Sequence, residues 1–219
     1  MQVVARFFSW GFLPLFTPIY GLLIVLFIPT VPSSSFLLDT LYAYPIEIKW
    51  LFLLLFTVFL VLAPGLSFVV LRYNRTISSF VMEHREERAT PISVMAFYFL
   101  VLYGFLLFQS NAEIIPATIK GMALAGGMTS FIAYHINKYI KISLHAIGMG
   151  ALAGFVYTYF LSMESYSLLT LILVFLAGGL TMTARLYLKH HTLKEIGYGY
   201  LLGFIIQFIV IFVYQIITS

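Results

Sequence analysis

The chain has 219 residues, of which 62% are hydrophobic and only 9% are charged. An ordinary soluble domain carries about 25% charged residues, so this composition excludes a water-soluble fold. The formal net charge is +4 and the chain has no cysteine, which excludes both a disulfide framework and a thiolate metal site.

Apolar runs recur along the whole sequence, and each is close to the roughly 20 residues that cross the hydrocarbon core of a bilayer. They predict an all-α polytopic bundle of about six or seven membrane-spanning helices, formed by a single integral membrane domain over residues 1–219. The first run is too long for a signal peptide and lacks a small-residue cleavage site, so we expect it to remain as a helix. The predicted spans are residues 7–29, 48–71, 92–109, 114–136, 144–162, 167–188 and 194–217.

The connections between these spans differ in character. The segment from Pro29 to Lys49 is rich in Pro and Ser and then aromatic, and a short interfacial segment is expected around 36–44. Tight links near residues 110–113 and 163–167 predict that the third and fourth spans, and the fifth and sixth, form antiparallel hairpins. The segment 72–91 is the only long polar stretch in the sequence.

Glycines concentrate in the later spans. Gly150 with Gly154, and Gly199 with Gly203, form Gly-x-x-x-Gly pairs. Such pairs let helix backbones approach closely in lipid, where the hydrophobic effect does not drive helices together. We therefore predict close helix packing at these four positions.

Basic residues favour one side of the predicted bundle. With seven spans, the N-terminus and the segments 72–91, 137–143 and 189–193 share one face. By the positive-inside rule we expect this face to be cytoplasmic, in a multi-pass protein of the inner or plasma membrane. The face carries ten of the twelve basic residues, namely Arg6, Arg72, Arg75, Arg85, Arg88, Lys138, Lys141, Arg185, Lys189 and Lys194.

Three polar clusters lie on this same face. They are residues 85–91 at the start of the third span, residues 141–145 at the start of the fifth, and residues 185–195 before the seventh. Each hairpin returns the chain to the side it left, so the clusters can converge on one pocket. Arg and Lys side chains and helix N-termini bind phosphate oxygens, and a histidine can attack phosphorus. The clusters therefore predict a phosphate site at the membrane interface.

At these residues the chain resembles the type 2 phosphatidic acid phosphatase superfamily, which also includes the vanadium haloperoxidases. The superfamily carries the ordered motifs Lys-x6-Arg-Pro, Pro-Ser-Gly-His and Ser-Arg-x5-His-x3-Asp. The third is matched in spacing by Arg185, His191 and Glu195, with Glu in place of Asp. The second keeps Ser143 and His145 but loses its Pro and Gly.

The first motif is the weakest match, because Pro91 follows a threonine; Arg85 or Arg88 can substitute for the missing basic residue. Lys141, next to the second motif, can replace the missing lysine. The resemblance covers about residues 82–203 and implies a phosphatase-like core over about 82–217.

The resemblance implies a metal-independent phosphatase for a lipid phosphate monoester or a lipid pyrophosphate, with no cofactor. It implies that His191 attacks phosphorus to give a phosphohistidine, while Glu195 holds the Nδ1 proton of that ring. His145 would protonate the leaving oxygen and then activate water. The implied phosphate-binding residues are Arg185, Ser143, Arg88, Arg85 and Lys141. The expected partners are the lipid substrate and the bilayer, and not nucleic acid.

Two other functions remain open. The motif departures also fit a catalytically impaired relative that binds anionic lipid head groups or acts as a membrane scaffold. A transporter is less favoured, because the charges lie at helix ends and not at mid-membrane depth. Arg and Lys side chains that extend to the membrane interface would explain each basic residue taken alone. They would not explain why the Ser, His and Glu residues of the second and third motifs fall at motif spacing. The lipid, the choice between hydrolysis and phosphotransfer, and the oligomeric state stay open.

Overall fold

The computed structural model describes residues 1–33, 40–79, 82, 85–109 and 115–218. Over these residues the chain is a bundle of α-helices with one two-stranded sheet, which confirms the predicted fold class. The strands are β1 Val31–Pro32 and β2 Met163–Ser165. The helices are α1 Gln2–Gly11, α2 Thr17–Phe27, α3 Ile46–Thr57, α4 Ala63–Tyr73, α5 Ala89–Leu107, α6 Ala117–Asn137, α7 Leu144–Leu161, α8 Leu168–Tyr187 and α9 Leu193–Thr218.

Five stretches among the described residues are long and apolar enough to cross a membrane. They are Ile46–Tyr73, Glu86–Leu107, Leu144–Leu161, Leu168–Tyr187 and Leu193–Ile217, with the shorter apolar helix α2 beside them. The 21-residue α6 packs against α5 and α9 and is rich in small residues, which lie buried inside the bundle. These helices make the protein an integral membrane protein.

The prediction of one helix over residues 7–29 is wrong, because the chain forms two helices there. Helix α1 begins at Gln2 and ends at Gly11, and α2 begins at Thr17. Pro14 in the break has no backbone N–H to continue the helical ladder. Pro18 occupies the first turn of α2, where a missing N–H is tolerated. Helix α2 therefore packs against α3 and α7, and α1 is a separate element that packs against α8.

The predicted span 48–71 is helical throughout but contains a π-helical turn at Val58–Leu62 between α3 and α4. Pro64 follows this turn directly. A proline ring inside a regular α-helix clashes with the carbonyl four residues earlier. A π-helical turn is wider than an α-helical one and relieves that clash. The remaining predicted spans correspond to α5–α9, with ends that differ by up to three residues.

Some predicted features lie wholly or partly outside the described residues. The link at 110–113 and His84 are not described, and neither are residues 36–39 of the expected interfacial segment. The described part of that segment forms a single 3-10 turn at Leu41–Ala43. Its backbone N–H at Leu41 donates to the Tyr159 hydroxyl at 2.9 Å, which fixes the segment to the end of α7.

The ends of the helices fall on two sides, as the seven-span topology predicts. Strand β1, after α2, pairs with β2, after α7, so these two connections share one end of the bundle. At the opposite end the segment before α5 contacts the segment before α7, where the Arg88 guanidinium donates to the Ile142 carbonyl at 2.9 Å. Which end faces the cytoplasm stays a prediction.

Helices α7 and α9 run parallel and form the most extensive helix–helix interface. The predicted glycine pairs make this contact. A Cβ atom at Gly154 would lie 2.5 Å from the Phe204 carbonyl oxygen, and one at Gly199 would lie 2.8 Å from the Ser143 carbonyl oxygen. The two backbones touch because no side chain separates them, as predicted.

Replacing Gly203 by Ala should therefore destabilise the bundle. The new methyl group would overlap the Ile147 carbonyl oxygen, which is backbone and cannot rotate away. We expect Gly203→Ala to lower the free energy of unfolding by about 1–3 kcal/mol, measured as a lower thermal midpoint in detergent. Gly197→Ala on the same helix is the matched control, because nothing lies within 4 Å of a Cβ there. Equal midpoints for the two variants would contradict this account of the interface.

Candidate functional site

A cavity of about 1060 Å³ opens at the end of the bundle that carries the basic segments. All the described helices except α3 contribute residues to its lining. Most of the lining is apolar, but the mouth is cationic. The basic side chains and imidazoles at the mouth include Arg6, Arg88, His145, Arg185, His190 and His191.

The three polar clusters that the sequence analysis expected to converge lie together at this mouth. The Arg88 guanidinium before α5 bonds to the backbone before α7 at Ile142. The backbone N–H of Ser143 donates to the Glu195 carbonyl at 3.3 Å, which joins the start of α7 to the first turn of α9. The close packing of α7 on α9 makes this second contact possible.

His191 lies in a short link whose two ends are both fixed by helix caps. At the end of α8, Lys189 has a positive φ of 56°. Its N–H donates to the Leu186 carbonyl at 2.9 Å, and the His190 N–H donates to the Arg185 carbonyl at 3.2 Å. This pair of bonds is a Schellman motif, which turns the chain sharply back. The turn directs the link towards the cavity.

At the start of α9, Thr192 and Glu195 form a capping box. The Glu195 N–H donates to Thr192 Oγ1 at 3.4 Å, and the Thr192 N–H donates to Glu195 Oε2 at 3.2 Å. The same Oε2 atom accepts from Nδ1 of His191 at 2.9 Å. The carboxylate therefore keeps the proton on Nδ1 and leaves the Nε2 lone pair available. Glu195 has a structural role in the cap as well as the tautomer role implied by the resemblance.

His191 is held in its neutral form. Its side chain is only 2% exposed. Burial of the ring and the nearby charges of Arg88 and Arg185 lower the pKa of His191 to about 3. A neutral imidazole with its proton on Nδ1 is the form in which Nε2 acts as a nucleophile.

Two buried arginines line the cavity, and the charge of the Glu195 carboxylate acts on Arg88 from beyond contact distance. Arg88 is 3% exposed and Arg185 is 5% exposed. Their bonds go to neutral atoms: Nε of Arg88 donates to the Met82 carbonyl at 2.9 Å, and Nη1 of Arg185 donates to Ser9 Oγ at 2.8 Å. In the part of the chain that the structure describes, Nε of Arg185 has no hydrogen-bond partner. Within the described ranges, neither guanidinium has a carboxylate oxygen within 4.0 Å.

His145 also lines the cavity, but its Nε2 atom is engaged. It lies 3.0 Å from the Ser9 backbone carbonyl, which can only accept a hydrogen bond. Nε2 therefore carries a proton, and Nδ1 is the atom left for other chemistry.

Helix α1 contributes residues that the sequence analysis did not single out for the site. Ser9 bonds both Arg185 and His145, and Arg6 lines the cavity. The buried face of α1 contains only Ala5 and Ser9, four residues apart, while its apolar residues Phe7 and Trp10 are exposed. That i, i+4 pattern of small residues opposite large apolar ones is the sequence signal that could have identified the helix as an interfacial cover.

Three of the expected phosphate-binding residues do not line the main cavity. Ser143 is fully buried and its hydroxyl caps α7 by accepting from the Ala146 N–H at 3.4 Å. Arg85 has a 46% exposed side chain that pairs with Glu86 at 2.9 Å. Lys141 lines a smaller adjacent cavity of about 400 Å³ together with His191 and Glu195. Their roles in binding phosphate stay predictions.

No family model matches the chain, and neither the curated proteins nor the solved structures give a match. The phosphatase resemblance therefore rests on the motif residues themselves. Among the described residues, no group of three His, Asp or Glu side chains is arranged to hold a metal ion.

The low pKa of His191 predicts a loss of stability in acid. The unfolded chain binds a proton on this ring below about pH 6.5, whereas the folded protein resists protonation down to about pH 3. The stabilisation is therefore complete above pH 6.5 and decreases as the pH falls, by up to about 1.4 kcal/mol per pH unit. Thermal midpoints from neutral to acidic pH should fall more steeply for the wild type than for His191→Gln. Parallel curves would show that the ring is not held neutral.

Proposed function

We propose that the protein is a membrane-embedded phosphatase for a lipid phosphate monoester or a lipid pyrophosphate, with a phosphohistidine at His191. The observation that supports this most is the pair of buried guanidiniums, Arg88 and Arg185, which face a cavity beside a neutral His191. Among the described residues Arg185 has no carboxylate oxygen within 4.0 Å, and a buried charge left without a partner costs about 3–5 kcal/mol. A bound phosphate would remove that penalty and present its phosphorus to the imidazole.

In the first step, the Nε2 lone pair of His191 attacks phosphorus, and the bond from phosphorus to the leaving oxygen breaks. Arg88 and Arg185 bind the equatorial oxygens, where negative charge is concentrated in the transition state. Glu195 keeps its hydrogen bond to Nδ1 and stabilises the positive charge that develops on the ring. The leaving oxygen takes a proton from His145. Because the proton on Nε2 of His145 is bound to Ser9, the donated proton comes from Nδ1, so His145 enters this step as an imidazolium that took up a proton when the phosphate anion bound.

In the second step, Nδ1 of His145 accepts a proton from a water molecule as its oxygen attacks phosphorus. The bond between phosphorus and Nε2 of His191 breaks, and inorganic phosphate leaves. Both imidazoles return to their starting protonation states, so the cycle balances without a metal or a redox cofactor.

A lipid substrate fits the shape and lining of the cavity better than a soluble one. The cationic mouth lies at the ends of the membrane-spanning helices, and the wall behind it is apolar. A head group can reach Arg185 from the interface while its hydrocarbon remains at membrane depth. A soluble phosphate ester would leave that apolar wall without a matching group.

A second candidate is a protein that binds the same lipid head group without hydrolysing it. Two contacts favour it: the Ser143 hydroxyl is used as a helix cap, and Nε2 of His145 is bound to a backbone carbonyl. Tight binding of phosphate with no turnover would identify this function.

The test is release of inorganic phosphate by purified protein from a panel of phosphatidate, phosphatidylglycerophosphate and polyprenyl pyrophosphate. We expect at least one of them to be hydrolysed, and we expect His191→Ala to lower kcat by about 1000-fold or more, because the nucleophile is lost. His135→Ala is the control. His135 is exposed and its Nδ1 bonds within α6 to the Phe131 carbonyl, so replacing it should leave the rate unchanged.

Two results would contradict the proposal. One is a folded protein that releases no phosphate from any member of the panel. The other is an activity that His191→Ala leaves intact.

A further inference from the structure

The cavity continues from its cationic mouth deep into the membrane-spanning part of the bundle. Met95 and Phe99 on α5 line it, as do Met122 and Thr129 on α6 and Gln207 on α9. A volume of about 1060 Å³ is much larger than a phosphate group needs. Most of the space therefore serves another part of the ligand.

The register of α6 against α9 places two polar side chains at one level of this cavity. The helices are antiparallel: Gln215 donates to Thr118 Oγ1 at 2.9 Å, and Gly121 faces Ile211. Continuing that register brings Thr129 and Gln207 to within about one helical turn of each other. At 1.5 Å per residue, Thr129 lies about 12 Å from the end of α6 and Gln207 about 21 Å from the start of α9.

Both of these side chains are buried inside the bundle. Thr129 is 3% exposed and Gln207 is 4% exposed. Among the described residues, Thr129 Oγ1 and Gln207 Oε1 have no hydrogen-bond partner. An unsatisfied polar group at membrane depth is strongly destabilising, because no water is present there to bond it. Two such groups on one cavity wall therefore point to a ligand that supplies hydrogen-bond donors there.

We propose that this cavity binds the hydrocarbon chain of the phosphate-bearing ligand inside the protein, and that Thr129 and Gln207 hydrogen-bond a hydroxyl group on that chain. The ligand class is an anionic amphiphile with a phosphate at one end and a hydroxyl roughly 12–21 Å further along, as the helix rise sets that depth. The inference rests on the proposed phosphate-binding mouth. Under this proposal the hydrocarbon chain lies inside the protein, among α5, α6, α7 and α9, and not in the bilayer.

Non-hydrolysable alkyl phosphonates test this independently of catalysis. Their dissociation constants would be measured by native mass spectrometry of the full-length protein in detergent. Met95→Trp fills the cavity about 9 Å below the start of α5, and we expect it to weaken binding of hexadecyl phosphonate by about tenfold or more. Binding of methyl phosphonate should be unchanged, because its phosphonate group stays at the mouth.

Met128→Trp is the matched control. Met128 is 39% exposed on α6 and does not line the cavity, so this variant should bind both phosphonates like the wild type. If Met95→Trp binds hexadecyl phosphonate as tightly as Met128→Trp does, the chain lies outside the protein and the proposal is wrong.

The polar pair is tested with a second probe, an alkyl phosphonate that carries a hydroxyl about 15 Å along its chain, a position chosen from the helix rise. The wild type should bind it about 2- to 12-fold more tightly than the unsubstituted phosphonate. Gln207→Leu should remove this difference in affinity. A preference that survives in Gln207→Leu, or that is absent from the wild type, would overturn the assignment of the hydroxyl contact.

Failure of the proposed function gives a different pattern from failure of this inference. A protein that binds the phosphonates in the expected order but releases no phosphate from the lipid panel keeps its chain site and loses only its enzymatic role. A protein that hydrolyses lipids with equal efficiency in Met95→Trp and Met128→Trp keeps the enzymatic role and loses the chain site.

Discussion

The contact between α7 and α9 is the constraint on which the site depends. Four glycines bring these parallel backbones into direct contact, and the start of α7 therefore lies beside the first turn of α9. His145 enters from the start of α7, and His191 lies just before α9. A wider separation would break the hydrogen bond between Ser143 and Glu195 and would move the two imidazoles apart. The packing of α7 on α9 thus determines where the imidazoles of His145 and His191 lie at the end of the bundle.

The site combines a rigid backbone around His191 with two buried positive charges, Arg88 and Arg185. The capping box and the Schellman motif fix the link that carries His191 without using any group that a substrate needs. Arg88 and Arg185 differ from this support: both are buried, and among the described residues their hydrogen bonds go to neutral atoms. Folding therefore leaves positive charge in a region of low dielectric. An anion that enters the cavity would supply a counter-charge to these guanidiniums. A structural ion pair, in contrast, already contains its counter-charge in the folded chain.

The sequence predicted the helix bundle, the glycine contacts and the convergence of the polar clusters, because each depends on composition or spacing that extends over many residues. It did not predict the break before α2, where the local effect of Pro14 overrides a continuous apolar run. It also missed Ser9, since a lone serine carries no motif and its contacts with Arg185 and His145 depend on how α1 folds back. Ser143 was predicted at the site from its motif position. Whether its hydroxyl serves phosphate or only the cap of α7 depends on hydrogen bonds that spacing does not specify.

The stability of Arg185→Met, with and without inorganic phosphate, tests the central claim most directly. If Arg185 is kept for an anion, replacing a buried unpaired guanidinium by an apolar side chain should raise the thermal midpoint of the phosphate-free protein. The same variant should lose the rise in midpoint that phosphate produces in the wild type. A variant that is less stable than the wild type, yet is stabilised by phosphate to the same extent, would show that Arg185 serves the fold and not an anion, and would contradict the account.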